Sequence, residues 1–234
     1  MAAKRVSSDS DGDQPALKRF KSNYLDVMTI LADSDETPFV VHTDVLCKKS
    51  SFFKAACSKN WESGKQGTIK LPTIEPGTMK SYIHWLYTSQ VDLDWVSPAG
   101  TPEPVLTPKP SATFALFKLY VAADMFLNVT LKNAVTDLLV DRVKASTFRG
   151  TSSTYTYVWE NTSPEASLRK LILDYTASRT GSTSLKESGQ DLSQEFLHSL
   201  SVRLLALLKK DQAVRGILAQ EKSEYHERMG EESE

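Results

Sequence analysis

The stretch from 39 to 63, FVVHTDVLCKKSSFFKAACSKNWES, constrains the fold of this chain more than any other. Phe39 to Val41 are aromatic and β-branched, the residue types that fill a half-buried pleated surface. At Thr43 the pattern changes. Val45, Leu46 and the aliphatic stems of Lys48 and Lys49 read as one short helix. Ser50 and Ser51 then offer side-chain oxygens to cap a second helix, whose first turn holds Phe52 and Phe53. Leu46, Phe52, Phe53 and Ala56 reach one core only if the two helices fold back as a hairpin across the strand.

The chain on either side sets the scale. At 234 residues there is room for one good-sized domain with appendages. A 40% hydrophobic content supports a sizeable core, and a net charge of −1 argues against direct nucleic-acid binding by the whole surface. Cys47 and Cys57 are the two cysteines; without a second pair or a histidine at metal-ligand spacing they read as reduced, buried thiols of an intracellular protein. The first residues are polar, so no secretory signal is expected, and no run approaches ~18 apolar residues, so no membrane span is expected.

Taken in order, residues 1–23 are predicted to be a disordered basic tail. Within it, Lys4 and Arg5 are followed, twelve residues on, by Lys18, Arg19, Phe20 and Lys21. Two basic clusters at that spacing suit the paired acidic grooves of a nuclear-import receptor, which makes the nucleus, the cytoplasm or both the expected compartment. Leu25–Ala32 reads as a strand, Asp33 to Glu36 as a turn and 37–41 as the hairpin partner. Thr68–Leu71 is a further short strand. Pro76 opens a helix through Met79, Tyr82, Ile83, Leu86 and Tyr87, with Trp85 at the rim of that stripe. Gln90–Leu93 is predicted as an edge strand.

Five of the ten prolines fall at 98, 102, 104, 108 and 110, so 94–110 is read as an insertion that neither helix nor central strand can occupy. It does not end the domain. Phe114–Leu127 is apolar on nearly every face and must be buried among other elements. Asn128 caps the next helix, with Leu131, Ala134, Leu138 and Leu139 on its inner side. Residues 146–163 read as a short helix or packed loop. Pro164 opens a helix through Leu168, Leu171, Ile172 and Tyr175, and Gln194 to Leu208 form an amphipathic helix through Leu197, Leu200 and Leu204. Residues 219–234 are predicted to be an acidic disordered tail: 221–234 hold six Glu against one Lys and one Arg.

Residues 24–145 thus give β-β-α-α-β-α-β-α-α, an α+β domain with a small sheet packed on a helical cluster, and 146–218 a helical C-terminal extension. This ordered set resembles the BTB/POZ domain. The resemblance rests on Asp26-Val27, Val41-His42, Leu46, Ser50 to Phe53, Trp61-Glu62-Ser63, Ile69 to Pro72, Tyr82 to Thr88 and Ala122-Ala123-Asp124. The proline-rich insertion and the helical C-terminal half look most like fungal members. The resemblance implies a fold-signature core of Asp26, His42, Leu46, Phe52, Phe53, Tyr82 and Leu86. It also implies self-association as a homodimer and recruitment of protein partners, commonly a transcriptional complex or a cullin-type ubiquitin ligase.

In cullin-binding relatives a hydrophobic residue commonly sits two places before a Glu. Trp61, Glu62 and Ser63 are therefore the candidate partner surface, but Asn60 holds the apolar position, so weak or no cullin binding is expected. Many BTB domains pair the aspartate at Asp26 with a basic residue just after the histidine. Thr43 stands there, and a corepressor-type charged pocket is not expected.

No constellation argues for catalysis. His42, His84, His198 and His226 form no i,i+4 pair, and zincin, nucleophile-elbow and phosphate-loop patterns are absent. His42, at a strand-to-helix corner, needs only a backbone partner to be structural. The expected function is a non-enzymatic interaction module, scaffold or adaptor, with no catalytic residue, cofactor or metal. The alternatives are a ubiquitin-ligase substrate adaptor and, less favoured, an enzyme with a site in the C-terminal half.

Overall fold

The computed structural model describes residues 26–58, 66–93, 111–179, 191–209 and 221–227. Its elements are β1 (Val27–Ala32), β2 (Thr37–His42), α1 (Thr43–Lys48), α2 (Ser51–Ala56), β3 (Thr68–Leu71), α3 (Pro76–Thr88), α4 (Ala112–Met125), α5 (Val129–Lys144), α6 (Ser152–Asn161), α7 (Ser167–Arg179) and α8 (Gln194–Lys209), with a closing 3-10 turn at Lys222–Tyr225.

The sheet order is β2-β1-β3, with β1 antiparallel to β2 and parallel to β3. Alternation along the strands separates two faces. Met28, Ile30, Ala32, Val41, Ile69 and Leu71 point inward and are buried, while Val27 and Val40 point out. The tight turn between β1 and β2 places Asp33 and Glu36 at positive φ, and the Asp33 carboxylate accepts the Ser34 N–H at 2.7 Å, a local bond of the kind that makes such conformations tolerable for Asp.

The α1–α2 hairpin forms as its sequence requires. Ser50 accepts the Phe53 N–H at 3.1 Å, capping α2, and donates to the Phe126 carbonyl at 2.6 Å, tying the hairpin to the end of α4. Leu46 and Phe53 are fully buried. The Phe53 ring lies 4.8 Å from Phe126, which lies 4.6 Å from Tyr82, so one aromatic cluster joins α2, α3 and α4.

Three local expectations give way. Gln90–Leu93 is not a strand: Ser89 reverses the chain at φ 58, and Ser81 takes the Asp92 carbonyl that a ladder would have used. Trp85, expected at a rim, is buried, whereas Tyr87 of the expected inner stripe is half exposed. Leu138 is also exposed, because the buried arc of α5 runs through Lys132, Thr136, Leu139 and Val143. Apolar counting misses that arc: Thr136 donates back to the Lys132 carbonyl at 2.8 Å and the Lys132 ammonium pairs with Asp124 at 2.6 Å, so both polar residues enter the core satisfied.

The C-terminal helices share the same core. Residues 152–161, left open as helix or loop, form α6, opened by a capping box between Thr151 and Thr154. Phe114 meets Tyr157 edge-on at 5.4 Å, Phe117 lies 5.8 Å from Phe148, and Phe196 of α8 stacks on Tyr155 at 5.4 Å. One cluster of buried residues runs from Met28 to Tyr225 with no break at 145/146. The acidic tail expected from 219 onward does not hold for 221–227, which is docked with Tyr225 fully buried. The expectations for 1–23, 94–110 and 228–234 lie outside the described residues.

Candidate interaction surfaces

The corner between β2 and α1 is held by a side chain from α3. Tyr87 Oη accepts the His42 backbone N–H at 3.2 Å and lies 2.7 Å from His42 Nδ1, with the rings edge-on at 5.9 Å. His42 therefore has a phenol as its structural partner. Of the other signature residues, Leu46, Phe53, Tyr82 and Leu86 are buried and Phe52 is partly covered against Phe126. Asp26 does not belong to the core. It is exposed at the start of β1, where its carbonyl accepts the Thr43 N–H at 3.0 Å. Lys49 is turned elsewhere, donating to Ser89 Oγ at 2.6 Å with its ammonium 5.3 Å from the Trp85 ring.

The thiols are half-buried rather than fully buried, and neither is disulfide-bonded. Cys47 Sγ donates to the Phe53 carbonyl at 3.5 Å, while burial and then the hydrogen bond of the Cys57 thiol to Cys47 push that thiol up to about 12. A thiol held protonated in this way is a poor nucleophile. Among the described residues no group of three or more His, Cys, Asp or Glu side chains is placed to hold a metal.

The remaining candidate features are a groove and two exposed apolar patches. A shallow groove of about 1000 Å³ runs along α1 and α2, lined by Asp44, Cys47, Lys48, Lys54, Leu127 and Thr130. Leu127 stands at its edge, 61% exposed, with Met125 also exposed beside it. The backbone at Leu127 has φ 52. It occupies the position after α4 where the chain turns left-handed, its N–H bonding the Asp124 carbonyl at 3.0 Å and that of Asn128 bonding Ala123 at 2.8 Å. Glycine is the usual residue at such a helix end, since a β-carbon there is strained by ~1–3 kcal/mol. A leucine in this conformation, presented to solvent, is an anomaly that packing does not explain. Its sequence signal was the run Phe126-Leu127-Asn128, a helix end meeting a cap with no glycine between them. A second apolar patch lies on the outer face of the sheet, where Val40, 65% exposed, sits opposite Thr29 and near Val27. Trp61, Glu62 and Ser63, and the basic residues Lys4, Arg5, Lys18, Arg19 and Lys21, lie outside the described residues.

Residues 17–107 match the model of the BTB/POZ domain family, a span that contains β1 to α3. A BTB/POZ domain-containing protein of Arabidopsis thaliana is 28% identical over 92 residues, which is 38% of this chain. The match spans 37% of that protein's length. A likeness to fungal members in particular finds no support in a plant relative. The mixed three-stranded sheet, the capped helical hairpin behind it and the matched span together identify an α+β BTB/POZ domain in this chain, continued by C-terminal helices.

Proposed function

We propose that this protein is a non-enzymatic interaction module that self-associates through the face formed by α1, α2 and the turn at Leu127, and so presents partner-binding surfaces in pairs. The single observation that carries this reading is Leu127 itself. It is a large apolar side chain, mostly exposed, held in a backbone conformation that favours glycine. Strain of that kind persists where the side chain has a use. The groove that Leu127 borders also carries the charges Asp44, Lys48 and Lys54, so an apolar side chain and polar groups share one face, as they do in a specific interface. A two-fold arrangement would bring the same patch of each copy together. Recruitment of other proteins, and entry to the nucleus through the basic clusters before residue 23, complete the reading.

Light scattering on the full chain at tens of micromolar is expected to give the mass of a dimer. Leu127→Gly separates surface from fold. It relieves the strained backbone, so thermal stability should hold or rise, while the dimer should dissociate at least tenfold more readily because an interfacial aliphatic side chain is gone. A monomeric wild-type protein, or a Leu127→Gly variant that dimerises unchanged, refutes the proposal.

A further inference from the structure

The segment 221–227 is bound as a ligand is bound. It follows α8 and belongs to no long helix or strand, yet it is seated against α5 and α7 along its length. One side chain anchors it. Tyr225 is fully buried, with the Lys170 ammonium 5.2 Å from its ring. The pocket reaches the Asp174–Arg203 ion pair, and burial together with the Asp174 charge raises the Tyr225 phenol above its usual range.

Beyond the anchor the contacts read main chain and charge. Asn133 brackets the backbone of Glu227, its Oδ1 accepting the Glu227 N–H at 2.7 Å and its Nδ2 donating to the Glu227 carbonyl at 3.3 Å. The Glu227 carboxylate enters a socket in which Tyr120 Oη donates at 2.6 Å, the Ser167 N–H at 3.1 Å, and the Lys132 ammonium stands at 3.4 Å. Lys170 donates to the Glu224 carbonyl at 3.1 Å, and His226 and Lys222 meet Asp137 and Asp141, each at 2.8 Å. An aromatic anchor in a pocket, a side-chain amide clamping the peptide backbone and a carboxylate socket are the parts from which sites for short linear peptides are built.

We propose that the groove formed by α4, α5 and α7 is a peptide-recognition site, occupied in cis by residues 221–227 and open in trans to a peptide of mixed charge that carries a tyrosine with a glutamate two residues after it. The tethered segment acts as a resident competitor. Covalent attachment to the same chain makes rebinding of the resident intramolecular, with an effective concentration of up to about millimolar, so a free peptide of equal chemistry gains little access until the resident is weakened. This goes beyond the self-association reading and does not depend on it, since peptide binding and dimer mass are read separately.

The test uses the full chain and a fluorescein-labelled synthetic peptide of residues 219–230. Tyr225→Ala removes the resident anchor and leaves the groove intact. This variant is expected to raise peptide anisotropy with micromolar affinity, whereas the wild-type chain binds at least tenfold more weakly. The same peptide with alanine in place of its tyrosine should bind neither. Adding Asn133→Ala to the Tyr225→Ala chain should abolish binding. A second opened form, Glu227→Ala, keeps the tyrosine and loosens only the carboxylate end, and should bind the peptide with intermediate strength. Equal affinity for the wild-type and Tyr225→Ala chains, or no binding to either variant when folded, overturns the proposal. Loss of folding in both variants overturns it too, because a displaceable ligand must leave a folded groove behind.

Discussion

Arg169 is the side chain on which the C-terminal helices turn, and its replacement tests how they are held. α6 ends at Asn161 with an extended Thr162, leaving carbonyls of its last turn without helical partners. The buried guanidinium of Arg169 takes their place. Its Nη2 donates to the carbonyls of Trp159 and Thr162, its Nε to Thr162 Oγ1 at 3.0 Å and its Nη1 to Glu195 of α8, with the Trp159 ring 5.1 Å away. Arg169→Met keeps much of the stem but leaves two carbonyls unpaired, at about 1–3 kcal/mol each, and removes a cation–π contact worth about 0.5–2 kcal/mol. A total loss of about 3–5 kcal/mol is expected, in the lower half of the range that these contributions span together. Glu195, by contrast, is 58% exposed, so Glu195→Gln should cost less than about 1 kcal/mol although it removes the formal ion pair. Arg169→Lys should cost about 2 kcal/mol, since one ammonium cannot serve both carbonyls at the angles the fork provides. Urea unfolding followed by circular dichroism gives all three values. If Glu195→Gln costs as much as Arg169→Met, the energy lies in the ion pair and the capping argument fails; if Arg169→Met costs under about 1 kcal/mol, both fail.

Ser50→Ala removes the cap of α2 and orphans the Phe126 carbonyl together, and should destabilise by about 1–3 kcal/mol in the same urea assay; a loss below about 0.5 kcal/mol would contradict the dual role. Burial raises the Glu227 carboxyl, but the Tyr120 and Ser167 hydrogen bonds and the Lys132 charge outweigh it and hold the group below its usual range. Its contribution is therefore present above the unfolded carboxylate pKa of about 4.3 and is lost as pH falls through the lower folded value. The stability gap between wild type and Glu227→Gln should be full at pH 6 and shrink below about pH 4, and a gap that widens on acidification would reverse the assignment. Changing Lys18, Arg19 and Lys21 to Ala in a fusion too large for passive entry should move the protein to the cytoplasm, and an unchanged distribution would return those residues to a solvated tail.

Where the sequence was informative, local chemistry and tertiary environment agreed. Ser50 followed by Phe52 and Phe53 is a cap and a core face in four residues, and both features are realised in the hairpin. The largely apolar run from Phe114 is likewise buried over most of its length, with Leu116, Phe117, Leu119, Tyr120 and Ala123 inaccessible, but at its end Met125 and Leu127 reach solvent. Illegible positions were those where a polar group is buried by pairing or an aromatic one is used at its polar end. Lys132 and Thr136 enter the core because their bonds are made there, and Tyr87 leaves the core because its hydroxyl serves His42. Tyr225 shows the same limit. One tyrosine among glutamates gives no periodic signal, and its socket is assembled from helices that begin far earlier in the chain. Of the candidate sites, the hairpin core was readable and the Leu127 turn and the tail groove were not, because each depends on backbone geometry or long-range pairing rather than on residue type.

Helix α5 carries both of the surfaces that emerged. Its first residues, Val129 and Thr130, line the groove beside Leu127, and the next turns, through Asn133, Asp137 and Asp141, hold the segment 221–227. Lys132 lies between them, and its one ammonium pairs with Asp124 in the Leu127 turn at 2.6 Å and with Glu227 of the docked segment at 3.4 Å. Release of the segment would leave that ammonium with Asp124 and the Tyr120 ring, 5.3 Å away. The two surfaces thus share a charge, and any coupling between them through it would be reciprocal. The size of the effect is bounded by the weaker pair. Glu227 keeps its bonds from Tyr120 and Ser167 whichever way Lys132 leans, so only the 3.4 Å contact to Lys132 carries the linkage. A single contact of that kind biases the choice between a bound and a displaced segment without dictating it, which leaves the outcome to the concentration and affinity of the competing peptide.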